Sequence, residues 1–314
     1  MKTISAEQVA DLLDWTPLID RLRDTFVSGV EAPPRHHHAM HRPDGEATML
    51  LMPAWQTDGY IGVKMVNVFP QNADQGLPAI SGLYLLSEGR HGRPIACIDG
   101  SELTRRRTAA ASALAAQWLA REDAYTLLVV GTGKLAPMLI EAHAAIRPIG
   151  QVLIWGRSEE KAAALAEHYE DRFEVHVVTD LESSVGQADI VSCATLSSEP
   201  LIKGAWLQPG AHLDLVGAFR PSMRETDGEA LRRARVFVDT WAGARGEGGD
   251  ILQAIDEGFL TWDDVQGDLK QLLGDEVTGR KNDEEITLFK SVGASLEDLA
   301  AAIEVWERYQ ATAD

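Results

Sequence analysis

Residues 126–136 read TLLVVGTGKLA, an apolar run followed by a glycine-rich turn. The run predicts a buried β-strand, and the turn has the form Gly-x-Gly-x-x-Ala that opens a helix. In such a turn Gly131 allows a tight bend, Gly133 lets the backbone approach a pyrophosphate, and Ala136 permits close packing of helix on strand. The helix N-terminus adds N–H donors, so the pattern predicts a dinucleotide site, with a purely structural glycine turn as the alternative. The turn residues predicted to bind the cofactor are Gly131, Thr132, Gly133, Lys134 and Leu135.

The sequence after this turn keeps alternating between strand-like and helical segments. Counting the first strand, the short apolar runs at βαβ spacing are residues 126–130, 151–155, 174–178, 189–194, 212–216 and 236–239. This rhythm is typical of a doubly wound parallel sheet. We therefore expect a Rossmann dinucleotide-binding domain over residues 124–293.

The residues after the second of these strands predict the type of cofactor. An acidic residue there binds the 2′-hydroxyl of NAD, whereas Arg and small polar residues hold the 2′-phosphate of NADP. Arg157 and Ser158 follow the strand directly, Lys161 lies nearby, and the nearest acid, Glu159, is expected in the first turn of the next helix. The sequence thus favours NADPH, with Arg157, Ser158 and Lys161 as cofactor-binding residues. The alternative is that Arg157 is an ordinary surface residue and that NADH is used as well.

The part of the chain before residue 124 has a different pattern. Residues 5–30 have helical apolar spacing, and residues 101–121 form an Ala-rich helical segment. Between them, residues 35–99 hold short strand-like runs separated by turn signals. This composition predicts a largely antiparallel sheet with flanking helices.

A last segment, residues 285–309, runs from a β-like stretch at 286–289 into a long amphipathic helix. We expect this segment to return to the first domain. The predicted fold is therefore α/β, with a Rossmann doubly wound parallel sheet inserted in a second α+β domain, which is formed by residues 1–123 and 294–314.

Composition and charge exclude several classes of function. The 314 residues include 45% apolar and 25% charged residues, as in soluble globular proteins. No run approaches the roughly 18 apolar residues that span a bilayer, and the N-terminus has no apolar signal core, so we expect a cytoplasmic protein without a membrane partner. The net charge of −19 opposes binding of nucleic acid. Cys97 and Cys193 are too few and too far apart for a disulfide framework or a CxxC zinc site.

Two other polar clusters invite a functional interpretation. His36, His37 and His38 are adjacent in an extended run, where neighbouring side chains point to opposite faces, so we expect no metal site. Asp250 precedes the apolar Ile251, and we expect it to cap a helix. Positioning of a loop near the nucleotide is the alternative for Asp250.

Isolated basic residues stand among apolar ones in three further segments, at residues 33–38, 62–67 and 103–112. In order and spacing, these segments resemble the ornithine cyclodeaminase/mu-crystallin family along nearly the whole chain. The other matches are Leu51-Met52-Pro53, the Gly-Thr-Gly turn, Val216-Gly217-Ala218 and residues 287–293. The resemblance implies a Rossmann domain inserted in a substrate-binding and dimerisation domain, and hence a homodimer.

Position by position, the resemblance implies that Arg35, Lys64 and Arg107 clamp the carboxylate of a small amino or imino acid. Planar guanidinium groups and a Lys point charge are suited to this anion. Lys64 is also the predicted catalytic residue. The alternative interpretation is that Lys64 is an exposed residue of its strand. Ser81 and His36 are candidates for polar contact or proton supply. The further cofactor-binding residues that the resemblance implies are Thr195, Gly217, Ser291, Val292 and Gly293.

Two departures from the family pattern bear on the reaction. The cyclodeaminases carry an Asp after Val-Gly-Gly, where Phe219 stands here, and a Glu before Leu-Met-Pro, where Leu50 stands. Neither replacement exchanges protons, so the sequence resembles the branch that reduces preformed cyclic imines. We expect an NAD(P)H-dependent oxidoreductase of proline metabolism that converts 1-pyrroline-2-carboxylate to L-proline and 1-piperideine-2-carboxylate to L-pipecolate, with Phe219 as an apolar wall for the substrate. A cyclodeaminase and a non-catalytic NADP-dependent binding protein are the alternatives.

Overall fold

The computed structural model describes residues 1–43 and 45–312, without the side chains of residues 73 and 74. The chain divides into two compact units. The first contains residues Met1–Thr108 and Ala294–Asp314, and the second contains residues Ala109–Gly293. The predicted fold class, a Rossmann parallel sheet inserted in a second α+β domain, is confirmed. The functional assignment of the two domains, with a border at residue 123, stays a prediction.

The described residues form strands and helices with the following bounds. The strands are β1 (Lys2–Ile4), β2 (His36–Arg42), β3 (Gly45–Trp55), β4 (Tyr60–Val68), β5 (Ile80–Glu88), β6 (Pro94–Asp99), β7 (Thr126–Val130), β8 (Gln151–Trp155), β9 (Glu174–Val177), β10 (Ile190–Cys193), β11 (His212–Leu215), β12 (Ala234–Val238), β13 (Val265–Asp268) and β14 (Ile286–Lys290). The helices are α1 (Ala6–Leu12), α2 (Trp15–Val27), α3 (Gly100–Leu119), α4 (Ala136–Ala144), α5 (Glu159–Glu167), α6 (Leu181–Val185), α7 (Gly228–Arg233), α8 (Trp241–Glu247), α9 (Gly249–Asp256), α10 (Leu269–Leu273) and α11 (Ser295–Ala311). Short 3-10 turns lie at Pro70–Gln75, Gly204–Trp206 and Trp262–Asp264.

The sheet of the first unit has the strand order β1-β6-β5-β4-β3-β2. Strands β2 to β6 run antiparallel, as predicted, and β1 pairs in parallel with β6 at the edge. In β4, Gly62 and Lys64 are buried while Ile61, Val63 and Met65 are half-buried. Since side chains alternate along a strand, Gly62 and Lys64 face the core side of the sheet.

Helix α11 covers this core side of the first sheet. It contacts α2, β3 and β4, and residues 299–305 are all buried. The first turn of α11 carries Glu297 and Asp298, whose side chains have no exposed surface. Two acidic side chains therefore enter the core of the first unit.

The sheet of the second unit has eight parallel strands in the order β13-β12-β14-β11-β10-β7-β8-β9. Strands β8 and β9 lie on one side of β7, and β10 and β11 lie on the other. Strand order thus reverses at β7. In open α/β sheets, ligands bind at such a switch point, beyond the carboxyl ends of the strands.

Residues 285–309 do not all return to the first domain. The β-like run at 286–289 forms β14 between β12 and β11 of the Rossmann sheet and lies within residues 124–293, the range expected for the Rossmann domain. All five residues of β14 are buried, as is usual for a strand covered on both faces of a parallel sheet. Only the segment from Ala294 onward belongs to the first unit.

Candidate functional site

The glycine turn after β7 has a backbone that only glycine adopts without strain. Gly131 has φ = 119°, and a Cβ on it would lie 2.7 Å from the carbonyl oxygen of Ala194. Its N–H donates to the carbonyl of Trp155 at 2.9 Å. A Cβ on Gly133 would meet no atom within 4 Å. The turn therefore leaves open space at Gly133, where a phosphate group fits against backbone N–H groups.

A cavity of about 320 Å³ lies beside this turn in the second unit. It is bordered by the loops that follow β7, β8 and β10, at the switch point of the sheet. Its lining residues are Gly131, Thr132, Gly133, Trp155, Gly156, Arg157, Ser158, Lys161, Ala194, Thr195, Leu196, Ser197 and Leu201. The position of the cavity and the glycine turn together fit a dinucleotide.

Seven of the predicted cofactor residues line this cavity: Gly131, Thr132, Gly133, Arg157, Ser158, Lys161 and Thr195. The other predicted cofactor residues are not among its lining residues: Lys134, Leu135, Gly217, Ser291, Val292 and Gly293. Cofactor contact by any of these residues stays a prediction.

Positively charged side chains line the end of the cavity beyond β8. Arg157 is exposed, and the backbone N–H of Lys161 donates to the Ser158 hydroxyl at 3.3 Å, which caps α5. Glu159 lies in the first turn of α5, as expected, and is not a lining residue. The described lining thus contains basic and hydroxyl groups, which suit a phosphate, and it contains no carboxylate.

Glu225, which sequence reasoning did not single out, connects two loops at this edge of the sheet. One carboxylate oxygen accepts from the N–H and the hydroxyl of Thr195, at 2.6 and 2.8 Å. The other accepts from the N–H groups of Gly217 and Ala218, at 2.8 and 3.2 Å. Burial raises the pKa of Glu225 to about 7, and the nearby charge of Asp250 acts in the same direction. The carboxylate ties a cavity-lining loop to the loop after β11.

Asp250 is not a helix cap, so that prediction is wrong. Helix α9 is preceded by Gly248 at its N-cap position, and Asp250 lies inside the first turn. Its carboxylate accepts from the N–H of Glu225 at 2.7 Å and lies 2.9 Å from Nζ of Lys290. Asp250 and Lys290 are both fully buried. The pair holds the backbone of Glu225, which is close to the predicted alternative of loop positioning.

Asp239 fixes the segment that follows β14. Its carboxylate accepts from the hydroxyl of Ser291 at 3.1 Å and from the N–H groups of Val292 and Gly293 at 2.7 Å each. Asp239 is fully buried at the end of β12. The three residues that the resemblance assigns to the cofactor site are therefore held in one conformation.

Lys64 is buried in the first unit, with 2% of its surface exposed. Its Nζ lies 2.8 and 2.7 Å from the two carboxylate oxygens of Asp298 and 3.4 Å from the hydroxyl of Thr104. Burial lowers the pKa of Lys64 to about 8, against the opposing charge of Asp298, and the charges of Arg107 and Arg35 lower it further. The alternative of an exposed strand residue is wrong for Lys64, because β4 turns this side chain toward the core.

Arg107 is the member of its basic run that points inward. Arg105 and Arg106 both pair with Glu102, whereas Arg107 is 5% exposed. Its Nε donates to Asp298 at 2.9 Å, and its Nη1 pairs with Glu297. Burial opposes its charge, but these two carboxylates outweigh burial and raise the pKa of Arg107. Arg107 is cationic at every physiological pH.

The other predicted substrate residues have different surroundings. Arg35 is half-buried just before β2 and close enough to Lys64 to lower its pKa. Ser81 on β5 and His36 on β2 are exposed. Phe219, in the second unit, is half-buried under the guanidinium of Arg220, which lies 5.5 Å from the ring centre. Lys64, Arg107 and Arg35 thus form one cationic cluster in the first unit, and Ser81 and His36 have no described bond to it.

Glu297, Asp298 and Tyr84 belong to this cluster, and sequence reasoning missed all three. Tyr84 faces Lys64 across the β4–β5 ladder, and its buried hydroxyl has no hydrogen-bond partner among the described residues. Burial raises the pKa of Tyr84 well above its usual value, and the charge of Asp298 adds to the effect. A Cβ on Gly62 would lie 1.8 Å from that hydroxyl, so Gly62 makes room for the ring.

Among the side chains that the structure describes, no group of three or more His, Cys, Asp or Glu is arranged to hold a metal ion. Within residues 1–43 and 45–312, no helix has the length and apolarity to cross a bilayer.

A Rossmann sheet with a glycine-turn cavity at its switch point defines a dinucleotide-binding α/β protein, and here the first unit adds a buried cationic cluster. Comparison with known families makes the class specific. The model of the ornithine cyclodeaminase/mu-crystallin family matches residues 3–313, and the chain belongs to this family.

Several relatives carry names that state a reaction. A Delta(1)-pyrroline-2-carboxylate reductase of Bacillus cereus is 40% identical over 266 residues, which cover 83% of this chain and 81% of the relative. Among solved structures, the Delta(1)-pyrroline-2-carboxylate reductase of Thermococcus litoralis in complex with NADH and L-proline is 29% identical, with a TM-score of 0.93 over 100% of this chain and 98% of that one. An archaeal alanine dehydrogenase dimer with bound NAD is 29% identical, with a TM-score of 0.91 over 100% and 97% of the two chains.

Proposed function

We propose that the protein is an NAD(P)H-dependent reductase of cyclic imino acids, which converts 1-pyrroline-2-carboxylate to L-proline. The observation that carries this proposal is the buried Lys64–Arg107 pair, in a chain whose relatives are named as reductases of that imine. The six-membered 1-piperideine-2-carboxylate is a second substrate, because one extra methylene in an apolar pocket changes binding by only about 1–3 kcal/mol.

The cationic cluster of the first unit holds the substrate carboxylate. Arg107 offers a planar guanidinium and Lys64 a compact ammonium, and Arg35 adds a third positive charge nearby. Because Lys64 and Arg107 are almost fully buried, their attraction for an anion is screened less than on a surface. Fixing the one permanent charge of a small imino acid also fixes the orientation of its C=N bond.

The glycine-turn cavity holds the cofactor through Gly131, Thr132 and Gly133, and Thr195 of the loop after β10 also lines it. Bound NADPH supplies a hydride for the imine carbon, and one proton completes the amine, so that the imino acid, NADPH and a proton give L-proline and NADP⁺. The chain itself contributes binding, orientation and the tied-down loops at Thr195 and Val292.

The side chains of Phe219 and Leu50 favour reduction over deamination. By resemblance, cyclodeaminases have carboxylates where this chain has Phe219 and Leu50. Phe219 packs under Arg220 and Leu50 is half-buried on β3, and neither side chain exchanges protons. A protonated imine accepts hydride without a further carboxylate.

NADPH is the preferred cofactor in this proposal. Arg157, Ser158 and Lys161 supply two positive charges and a hydroxyl at the end of the cavity beyond β8. Such a group is suited to a 2′-phosphate, whereas the 2′-hydroxyl of NADH is usually bound by a carboxylate. NADH binds in the same cavity with lower affinity.

The protein acts as a homodimer. On the side of the first sheet opposite α11, a half-buried apolar face is formed by Leu51, Pro53, Val63, Met65, Leu83 and Leu85. Contiguous apolar faces of this kind mark association surfaces. The related archaeal alanine dehydrogenase is described as a dimer, which supports a second copy of this chain as the occupant.

A panel of substrates tests the proposed function. The purified protein is incubated with the five- and six-membered cyclic imino acids, and separately with L-ornithine, in the presence of NADPH or NADH. We expect NADPH oxidation with both imines and no ammonia from ornithine. Ammonia release from ornithine without net cofactor turnover would instead identify a cyclodeaminase, and stable NADPH binding with no turnover of any substrate would identify a binding protein.

A further inference from the structure

The side chain of Asp298 connects the two buried cations of the first unit. Its Oδ1 accepts from Nζ of Lys64 at 2.8 Å and from Nε of Arg107 at 2.9 Å, and its Oδ2 lies 2.7 Å from Nζ of Lys64. Asp298 has no exposed surface. One carboxylate therefore sets the distance between two cations that are far apart in the sequence.

The contacts of Arg107 leave part of its guanidinium available. Nε is bound to Asp298 and Nη1 to Glu297, whereas Nη2 has no acceptor among the described residues. A guanidinium has five N–H donors in a fixed plane, so two contacts on one side determine where the remaining donors point. The free donors of Arg107 are thus aimed by Asp298 and Glu297 together.

We propose that Asp298 is a positioning residue of the substrate site: it holds Lys64 and Arg107 so that the charge of the Lys64 ammonium and the remaining donors of Arg107 meet one substrate carboxylate. This inference rests on the proposed function, because it assigns the same two cations to the substrate. Asp298 itself does not touch the substrate. Glu297 pairs with Arg107 and has no described contact with Lys64.

Asp298 also keeps Lys64 cationic. The groups that act on the Lys64 ammonium are Asp298 of α11, Arg107 and Thr104 of α3, Arg35 before β2 and Tyr84 of β5. Of the charged groups among them, only Asp298 raises the pKa of Lys64, whereas burial and both Arg charges lower it, with a result of about 8. Substrate binding that needs the ammonium therefore weakens above about pH 8.

Replacing Asp298 by its neutral isostere separates these effects from ordinary packing. In Asp298→Asn we expect kcat/KM for 1-pyrroline-2-carboxylate to fall about 100-fold, mainly through KM, because small displacements of orienting groups have effects of this size. The alkaline limb of the pH profile of kcat/KM should move to lower pH by about one unit or more, since an adjacent opposite charge is lost. Affinity for NADPH should not change.

Two carboxylate-to-amide variants of the same helix are matched controls. Glu297→Gln should raise KM through Arg107 while leaving the alkaline limb where it is in the wild type, because no contact with Lys64 is lost. Glu304→Gln changes a carboxylate that pairs with Arg21 and Arg308, and it should leave both KM and the pH profile unchanged. A role of Asp298 in packing alone predicts no shift of the pH profile in any of the three.

Specific outcomes overturn the proposal. A lower KM in Asp298→Asn would mean that the carboxylate competes with the substrate for the cations, and an unshifted alkaline limb would mean that it does not act on Lys64. If Asp298→Asn does not fold, Asp298→Glu decides, since it keeps the charge but displaces it by one methylene. Positioning predicts at least a tenfold loss of kcat/KM in Asp298→Glu with the wild-type alkaline limb, and undiminished kcat/KM contradicts positioning.

A measurement without turnover separates this inference from the proposed function. In protein labelled with ¹³C at lysine Cε, the titration of Lys64, assigned by its loss in Lys64→Gln, reports the ammonium directly. We expect the pKa of Lys64 to be lower in Asp298→Asn than in the wild type, whether or not the enzyme reduces imines. If the wild type does not reduce the imine but the pKa of Lys64 shifts in Asp298→Asn, the proposed function is wrong and the link from Asp298 to Lys64 stands. If the wild type reduces the imine but the pKa of Lys64 does not shift, the proposed function stands and the link from Asp298 to Lys64 is wrong.

Discussion

Two charged side chains of the first unit are buried away from water. Lys64 and Arg107 are almost completely buried, and each is paired with a carboxylate that is also buried. Burying an ion costs several kcal/mol, and pairing within the protein only partly offsets this cost. Such an arrangement is a poor way to gain stability, so we attribute it to the binding of an anionic substrate.

Neutral replacements of the two cations test that attribution. Lys64→Gln and Arg107→Gln should each lower kcat/KM for the imine about 10- to 100-fold, since each removes a hydrogen bond between charged groups. Affinity for NADPH, measured by fluorescence titration, should remain that of the wild type. The control is Arg105→Gln, on the same helix and paired with Glu102, which should retain full activity. Equal losses in all three variants would remove Lys64 and Arg107 from the substrate site.

We expect Arg157, the basic residue that follows β8, to determine the preference for NADPH over NADH. Arg157→Ala should weaken binding of NADPH about tenfold or more, because a charge-assisted contact to the 2′-phosphate is lost, and should change NADH affinity little. Dissociation constants for both cofactors give the comparison. Arg172→Ala, at a surface pair with Glu141, is the control. An equal loss for both cofactors would argue against a phosphate pocket.

The residues found from sequence differ in a physical way from those that were missed. Gly131 and Gly133 belong to a local pattern in which spacing along the chain determines the chemistry. Asp298 and Glu225 have ordinary sequence surroundings and acquire their roles from partners brought together by folding, such as Lys64, which lies 234 positions from Asp298. No local signal marks such a residue, and the buried carboxylates became visible only with the helix α11 in place.

At the scale of elements, β7 and its turn place the cofactor cavity. Strands β7 and β8 have the bounds that the sequence predicts, because each is a mainly apolar run that a glycine follows directly. Strand β13 was missed because its four residues, Val-Gln-Gly-Asp, contain one apolar side chain. Strand β14 was recognised as β-like, but its place between β11 and β12 was not predicted, because strand order is a property of the sheet and not of the strand's own sequence.

We expect substitutions of the two glycines of the turn to have different effects, one on stability and the other on cofactor binding. Gly131→Ala combines a positive φ with a Cβ 2.7 Å from a carbonyl oxygen, so we expect it to lower the free energy of unfolding by about 1–3 kcal/mol. Gly133→Ala meets no atom within 4 Å and should leave stability unchanged while weakening NADPH, because the methyl group occupies the space for the pyrophosphate. Thermal unfolding and NADPH titration measure both. A Gly133→Ala variant with undiminished NADPH affinity would contradict the placement of the phosphates.

At the scale of the whole molecule, buried ionisable groups make stability depend on pH. His212 on β11 is fully buried, with Nδ1 3.0 Å from the hydroxyl of Thr287. Burial lowers the pKa of His212 to about 3, from 6.5 for an ordinary histidine. The unfolded chain therefore binds a proton at His212 between these pH values and the folded chain does not, so folding loses stability as pH falls through this window.

His212→Gln removes this proton linkage. Between about pH 6.5 and 3, the free energy of unfolding of the wild type should fall with decreasing pH more steeply than that of the variant, by at most about 1.4 kcal/mol per pH unit. Urea unfolding across this range measures both slopes. The same substitution at the exposed His168 is the control and should keep the wild-type slope, and parallel slopes for wild type and His212→Gln would show that His212 is charged in the folded protein.

The apolar face of the first sheet makes a prediction about assembly. Leu85→Glu places a charge in the middle of this face and should convert the dimer to a monomer, since an unpaired charge in an interface costs several kcal/mol. Sedimentation velocity measures the change. Ile80→Glu lies on the same strand but is already exposed, and it should leave the dimer intact. A wild type that sediments as a monomer at micromolar concentration would contradict a dimer formed through this face.

Transfer of deuterium tests the central claim most directly. The protein is incubated with 1-pyrroline-2-carboxylate and NADPH that carries deuterium at both positions of nicotinamide carbon 4, and the product is analysed by mass spectrometry and NMR. The account predicts L-proline with one deuterium at C2 for each NADPH consumed. Proline without the label, or consumption of NADPH with the imine left intact, would contradict imine reduction by this protein.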